Sequence, residues 1–171
     1  GWSGKNTDWI GFSKTINNKG SALKNKSAVV IGYGGASKAI IYALKKENFE
    51  EIKVFNRTEE KIFHLKKEKG VTPIRLEYLK NHLFEAGIII NTTPVNVLKS
   101  LLIQKEIKQS LAFDIVYSPQ ETDFLSNFAR ENRIYGISML VYQAAPCFDE
   151  WFGVRPTIDQ GLFNLLSSHM N

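Results

Sequence analysis

The sequence predicts an α/β fold: a doubly wound, mostly parallel six-stranded sheet with flanking helices. Three observations predict it. Short apolar runs alternate along the chain with stretches of helical apolar spacing. A glycine-rich turn, Gly32-Tyr33-Gly34-Gly35, separates the first run from the helical stretch after it. The fourth run, residues 87–90, is apolar throughout, as a strand covered by helices on both faces must be. Such alternation implies parallel strands joined by right-handed crossovers.

In chain order, an opening helix is expected over 7–17 and the first strand over 27–31. Ala36, Ala39, Ile40, Ala43 and Leu44 recur at helical spacing and predict the next helix. Residues 52–55 read as the second strand and 59–69 as a helix. A weaker strand sits near 72–76, then a helix over 77–85 and the apolar strand 87–90. Helices over 98–109 and 122–132 flank a fifth strand, 111–116. A short sixth strand, 133–135, precedes two closing helices over 139–152 and 157–168. No internal repeat and no low-complexity linker interrupts this rhythm.

Length fits one well-cored domain, 171 residues. Lys and Arg number 22 against 17 Asp and Glu, a net charge of +5 that suits an anionic ligand without demanding one. The richest basic stretch, 61–69, contains Glu68 and reads as a solvated helix face, which argues against nucleic acid. The single cysteine, Cys147, has no internal partner, and His64, His82 and His169 lack metal-ligand spacing. No apolar run approaches the roughly 20 residues of a membrane span. A cytoplasmic setting is therefore expected.

The chemistry concentrates after the first two strands. Gly32-x-Gly34-x-x-Ser37 has the spacing of a dinucleotide-binding turn. Glycine at 32 permits the tight turn, glycine at 34 lets backbone approach a pyrophosphate, and a small residue at 37 lets helix and strand pack closely. The helix start at Gly35 and Ala36 offers unpaired N–H groups and a positive dipole end to phosphate. The motif alone also fits a structural turn; its position between strand and helix favours a cofactor and a Rossmann-type sheet. The second strand ends in Asn56-Arg57-Thr58, with Lys61 one turn later and no acid at the tip. An acid there would hold ribose hydroxyls, whereas Arg57 offers a planar fork to a 2′-phosphate. That pattern favours NADP over NAD, although an exposed Arg at a strand-to-helix turn is ordinary. Asn91, Thr92 and Thr93 follow the fourth strand, Tyr117 follows the fifth, and Ser138 follows the sixth. Open α/β sheets bind ligands at these carboxyl ends.

Five segments in order resemble one family. They are Asn6-Thr7-Asp8-x-x-Gly11, the turn Gly32 to Ala39, Asn56-Arg57-Thr58, Asp114-Ile115-Val116-Tyr117 with Thr122, and Met139-x-x-x-Gln143-Ala144 with Phe148, Trp151 and Gly153. The chain is similar to the NADP-binding half of shikimate dehydrogenases. The resemblance implies reversible, NADPH-dependent reduction of 3-dehydroshikimate to shikimate, on the route to chorismate and aromatic amino acids; the alternatives are a quinate/shikimate dehydrogenase relative and a non-catalytic NADP-binding module. It implies a catalytic role for Asp8 and substrate contacts from Asn6, Tyr117 and Gln143. It also implies cofactor contacts from Gly32, Gly34, Gly35, Ala36, Asn56, Arg57, Thr58, Lys61, Asn91, Thr92, Thr93, Ile115, Ser138 and Met139. The family's catalytic Lys belongs to an N-terminal substrate domain that this sequence does not contain. The chain alone is accordingly expected to bind cofactor but scarcely turn over.

Residues 1–171 are expected to form one domain. Its opening segment, 1–20, and closing helices, 139–171, would pack at the junction with the substrate domain, and a homodimer is a further expected partner. Local pattern gives Asp8 a second reading, an acid at a helix start. Met139, Phe148 and Trp151 read equally as core packing. Several residues depart from the family pattern: Lys5, Tyr33, Asn96, Val97 and Ser138. Tyr33 leaves two outcomes open, a ring covering the adenine or one obstructing the site.

Overall fold

The computed structural model describes residues 1, 3–19, 23, 25–100 and 107–169. Six parallel strands form one sheet in the order β3-β2-β1-β4-β5-β6. They are β1 (Ser27–Ile31), β2 (Glu51–Asn56), β3 (Val71–Arg75), β4 (Ile88–Asn91), β5 (Leu111–Asp114) and β6 (Arg133–Ile134). Strand order reverses between β1 and β4, which opens a crevice at their carboxyl ends. The sheet is entirely parallel, where a mostly parallel one was expected.

Successive strand residues point to opposite faces, so an all-apolar strand feeds two cores. Val30, Val54, Ile90 and Phe113 face one core with Phe12, Ile16, Ile40 and Leu44. Val29, Phe55, Ile89 and Ala112 face the other with Leu79, Leu83, Phe124 and Phe128. Each fully buried Ile, Val or Phe contributes roughly 1.5–3 kcal/mol.

The first core is covered by α1 (Asp8–Asn17) and α2 (Gly35–Lys46). Phe12 of α1 meets Phe113 of β5 edge-on, with ring centroids 5.2 Å apart. The long helix α4 (Gly136–Phe152) packs along α1, and α5 (Gln160–Ser168) closes the chain with its Asp159 carboxylate accepting from the Leu162 N–H. The sixth-strand segment is shorter than expected, because α4 begins at Gly136 and takes Ser138 into its first turn.

Three expected helices are corrected. Residues 59–69 form two 3-10 helices, Glu59–Lys61 and Phe63–Lys67. Residues 77–85 give a 3-10 helix over Leu76–His82, and 122–132 give two, Leu125–Asn127 and Arg130–Asn132. Buried Ile62 and Leu65 stand three apart, as do half-buried Leu76 and buried Leu79, and buried Leu125 and Phe128. A three-residue period matches the 3-10 turn, which stacks i and i+3. In the last segment Asn127 also donates to the carbonyls of Asp123 and Phe124, in competition with helical bonding. Of the helix expected over 98–109, α3 (Val97–Ser100) is present. Residues 101–106 lie outside the described residues, and Ile107 bridges Phe128 rather than continuing a helix.

Candidate functional site

The turn after β1 is fixed by close approach. Gly32 has φ +95°, and a Cβ there would stand 2.7 Å from Thr92 Oγ1 and 2.8 Å from Thr93 Cγ2. Only glycine lets the turn lie against the loop after β4. Thr92 in turn donates its hydroxyl to the Ile31 carbonyl at 2.7 Å, while the Gly32 N–H bonds to the Phe55 carbonyl at 2.7 Å. Carboxyl ends of β1, β2 and β4 are thereby tied together.

Beyond the turn, Gly34 and Gly35 face open space and are exposed. Ser37 is fully buried; its hydroxyl accepts from the Gly34 N–H at 2.7 Å and donates to the Gly34 carbonyl at 2.8 Å. It serves as more than a small residue, because it holds the turn from inside α2. The N–H groups of Gly35 and Ala36 begin the helix, where no carbonyl within the helix can partner them and an anion is favoured.

A cavity of about 280 Å³ opens beside this turn. Gly32, Tyr33, Asn56, Arg57, Thr58, Lys61 and Thr93 line it, with apolar cover from Leu76, Val95 and Val97. The lining holds two cations and no carboxylate. Asn56 donates to the Thr58 carbonyl at 2.8 Å and so shapes the bend that presents Arg57. Arg57 is exposed and enters no salt bridge among the described residues. Its fork is available to an anion.

Tyr33 forms a wall of this cavity, its hydroxyl 2.9 Å from His64 Nε2. Partial burial, then the nearby negative charge of Glu68, raises the phenol's pKa. Tyr33 therefore stays protonated and neutral. Sequence reasoning missed His64, because its partner lies 31 residues away and no local pattern links them.

Asn91 and Asp114 sit at the ends of β4 and β5, both buried. Asn91 donates to the Thr93 carbonyl at 3.1 Å and accepts from the Thr93 N–H at 3.1 Å, so it shapes the loop lining the cavity. Asp114 accepts from Thr122 Oγ1 at 2.7 Å, the Val116 N–H at 3.1 Å and Asn91 Nδ2 at 3.2 Å. Burial pushes its carboxyl upward, and these three bonds oppose that without cancelling it. Thr122 was expected only through its motif; here its hydroxyl anchors the loop after β5.

Asn6, Asp8 and Gln143 come together elsewhere, where α1 meets α4. Asn6 Oδ1 accepts the Asp8 N–H at 3.0 Å, and Asp8 stands in the first turn of α1. Thr7 donates to Gln143 Oε1 at 3.4 Å and lies 3.1 Å from Cys147 Sγ. A second cavity of about 630 Å³ opens here, lined by Asn6, Thr7, Trp9, Cys147, Glu150 and Trp151 among others. Lys5 pairs with Glu150 at its rim, 2.6 Å apart and exposed, which contributes little. Ile115 and Tyr117 follow β5, close to the start of α4, because Gly136 packs on the carbonyls of residues 114–116. Tyr117 is exposed, Ser138 half-buried, and Met139 packs in the first core. The structure thus groups Gly32, Asn56, Arg57, Thr58, Lys61 and Thr93 around one cavity, leaves Gly34, Gly35 and Ala36 outside its lining, and joins the segment Asn6-Thr7-Asp8 to Gln143 through Thr7.

Among the described residues no cluster could hold a metal ion, and no helix is long and apolar enough to cross a membrane.

Comparison with known proteins gives the ancestry of this arrangement. Residues 14–123 match the Shikimate / quinate 5-dehydrogenase family. The chain is 34% identical over 172 residues to shikimate dehydrogenase (NADP(+)) of Bartonella henselae, covering 93% of this chain and 59% of that protein. It superposes on shikimate dehydrogenase of Aquifex aeolicus with a TM-score of 0.72 at 33% identity, covering 89% of this chain and 57% of that one. A shikimate 5-dehydrogenase of Thermus thermophilus, solved with NADP(H) and shikimate, gives a TM-score of 0.70 at 31% identity, covering 89% and 58%. The chain therefore spans less than two thirds of the length of these relatives. With a matched segment that covers most of its length and the strand order expected of a dinucleotide site, the chain belongs to the shikimate/quinate 5-dehydrogenase family.

Proposed function

We propose that this chain is the NADP(H)-binding part of a dehydrogenase that reduces 3-dehydroshikimate reversibly to shikimate, on the route to chorismate and aromatic amino acids. One observation carries the cofactor reading. The cavity at the switch point joins the glycine turn to Arg57 and Lys61 and has no carboxylate in its lining. A 2′-phosphate gains two cations there, and nothing repels it. Asn56, Thr58 and Thr93 would hold the adenosine ribose and phosphate, while Gly34, Gly35 and Ala36 would approach the pyrophosphate. Asn91 and Thr92 shape the loop beside it. Ile115, Ser138 and Met139 would border the nicotinamide.

NADPH supplies the hydride when bound. The ketone that accepts it becomes an alkoxide and needs a proton donor nearby. We assign Asp8 to orient that donor, and Asn6, Tyr117 and Gln143 to hold the substrate from the cofactor side. The donor itself, a Lys in the family, would come from a substrate domain outside this sequence. The exposed rings of Trp151 (75% exposed) and Phe152 (63% exposed), with Phe148 and Leu165, give that domain an apolar face to cover. A second copy of the chain is the other candidate for that face. The free thiol of Cys147 fits a reducing, cytoplasmic setting.

Calorimetric titration with NADPH and with NADH tests the reading. NADPH should bind about tenfold tighter or more, since one charge-assisted contact is worth roughly 1.5–3 kcal/mol. The Arg57→Ala variant should lose most of that preference. Equal affinity for the two nucleotides in the unaltered chain would overturn the reading.

A further inference from the structure

A third cavity lies outside the cofactor site, in the groove between α2 and the 3-10 helix Phe63–Lys67. Its volume is about 480 Å³, within the range of small-molecule sites. Residues 59–67 form short 3-10 turns beside it. Ile41 and Leu65, both buried, line its apolar floor. Tyr33 and Tyr42 contribute its rings, and Tyr42 is braced edge-on by Trp9 at 5.4 Å.

The charge of this groove is one-sided. Three ammonium groups, Lys38, Lys45 and Lys46, line it against one carboxylate, Glu68. Glu68 is taken by Lys45 at 2.8 Å. Lys38 and Lys46 lie over the rings of Tyr33 and Tyr42, at 5.5 and 5.7 Å from their centroids, and neither enters a salt bridge among the described residues. Two cations therefore stand over an apolar, ring-lined groove without an anion. A phosphate ion would answer the charges but leave the floor wet. A neutral arene would cover the floor without using the two exposed charges. An anion with an apolar ring uses both the floor and the charges.

We propose that this groove is a second ligand site, separate from the cofactor cavity and sharing its Tyr33 wall, that binds a small aromatic carboxylate. The ring lies on Ile41 and Leu65, and the exposed Lys38 and Lys46 attract the carboxylate from the rim. The site does not depend on the identity of the cofactor or of the reduced substrate.

Benzoate is the probe, followed by amide NMR on the full chain, with benzyl alcohol and inorganic phosphate as comparison ligands. Benzoate should shift Lys38, Ile41, Tyr42 and Leu65 in a saturable, millimolar transition, and both comparison ligands should bind markedly more weakly. Lys38→Met combined with Lys46→Met removes both charges, keeps unbranched apolar stems, and should weaken benzoate about fivefold, as loss of two exposed cation contacts implies. Arg57→Ala should leave benzoate binding unchanged. Benzoate shifts centred on Gly32, Arg57 and Thr58, equal binding of benzyl alcohol, indifference to the double variant, or no saturable shift up to tens of millimolar would each overturn the proposal.

Discussion

Gly11 of α1 lies so close to Gln143 of α4 that a Cβ on the glycine would stand 2.7 Å from Gln143 Cβ and 2.7 Å from the Met139 carbonyl oxygen. Both helices here are backbone against backbone. The same contact brings the segment Asn6-Thr7-Asp8 to Gln143, so packing and site depend on one missing methyl. Gly11→Ala forces the helices apart. Overpacking of this kind costs about 1–3 kcal/mol, and the melting temperature should fall by roughly 2–4 °C per kcal/mol. Thermal unfolding followed by circular dichroism measures it; an unchanged melting temperature would show that α1 shifts freely on α4.

Gly32→Ala meets two obstacles together. The residue must adopt φ +95°, and its Cβ must displace Thr92 and Thr93 from 2.7 and 2.8 Å. Strain at such a backbone position costs on the order of 1–3 kcal/mol before the clash is added. The variant should unfold at lower urea and bind NADPH more weakly, since the displaced loop lines the cofactor cavity. Gly35→Ala has open space and no positive φ, and should keep nearly full stability. Equal loss in both variants would remove the argument from close approach.

Asp114 gives a pH prediction. Burial raises its carboxyl above the ordinary value of 3.8. Between those two values the folded chain holds more protons than the unfolded chain. This group's contribution is therefore complete below the ordinary value and is lost as pH rises through the raised folded pKa. Asp114→Asn removes that loss. Its amide can still accept from the Val116 N–H and can donate to Thr122 Oγ1. The stability difference between variant and parent should move in the variant's favour from the acid range to neutrality. Urea midpoints across that range measure it, and parallel curves for the two proteins would contradict it.

The strands were legible because β1 and β4 are apolar at nearly every position, and no other element gives short apolar runs in that rhythm. Gly32 was legible because a tight turn after a strand demands it. The helices after β2 and β3 were misread for a physical reason: apolar residues three apart satisfy an α-helical pattern and a 3-10 pattern alike over one or two turns. Asn6 and Asp8 were legible both as a motif and as a helix start, and the Asn6 bond to the Asp8 N–H shows the helix-start role. What no local pattern held was the partnering of distant side chains. The Tyr33 bond to His64, the Ser37 grip on Gly34 from inside the helix, and the division of the expected site residues into two places all depend on how elements pack.

Tyr33 decides between covering and obstructing the cofactor. Its hydroxyl is held by His64 and its ring lines two cavities. A wall contributes contact. Tyr33→Ala should therefore weaken NADPH, by up to about tenfold if the ring supplies a stacking contact of roughly 0.5–1.5 kcal/mol. Tyr33→Phe keeps the ring, loses only the His64 bond, and should bind nearly as the parent does. Calorimetry on the three proteins separates the two roles, because an obstructing ring predicts the opposite sign: Tyr33→Ala would then bind NADPH more tightly than the parent.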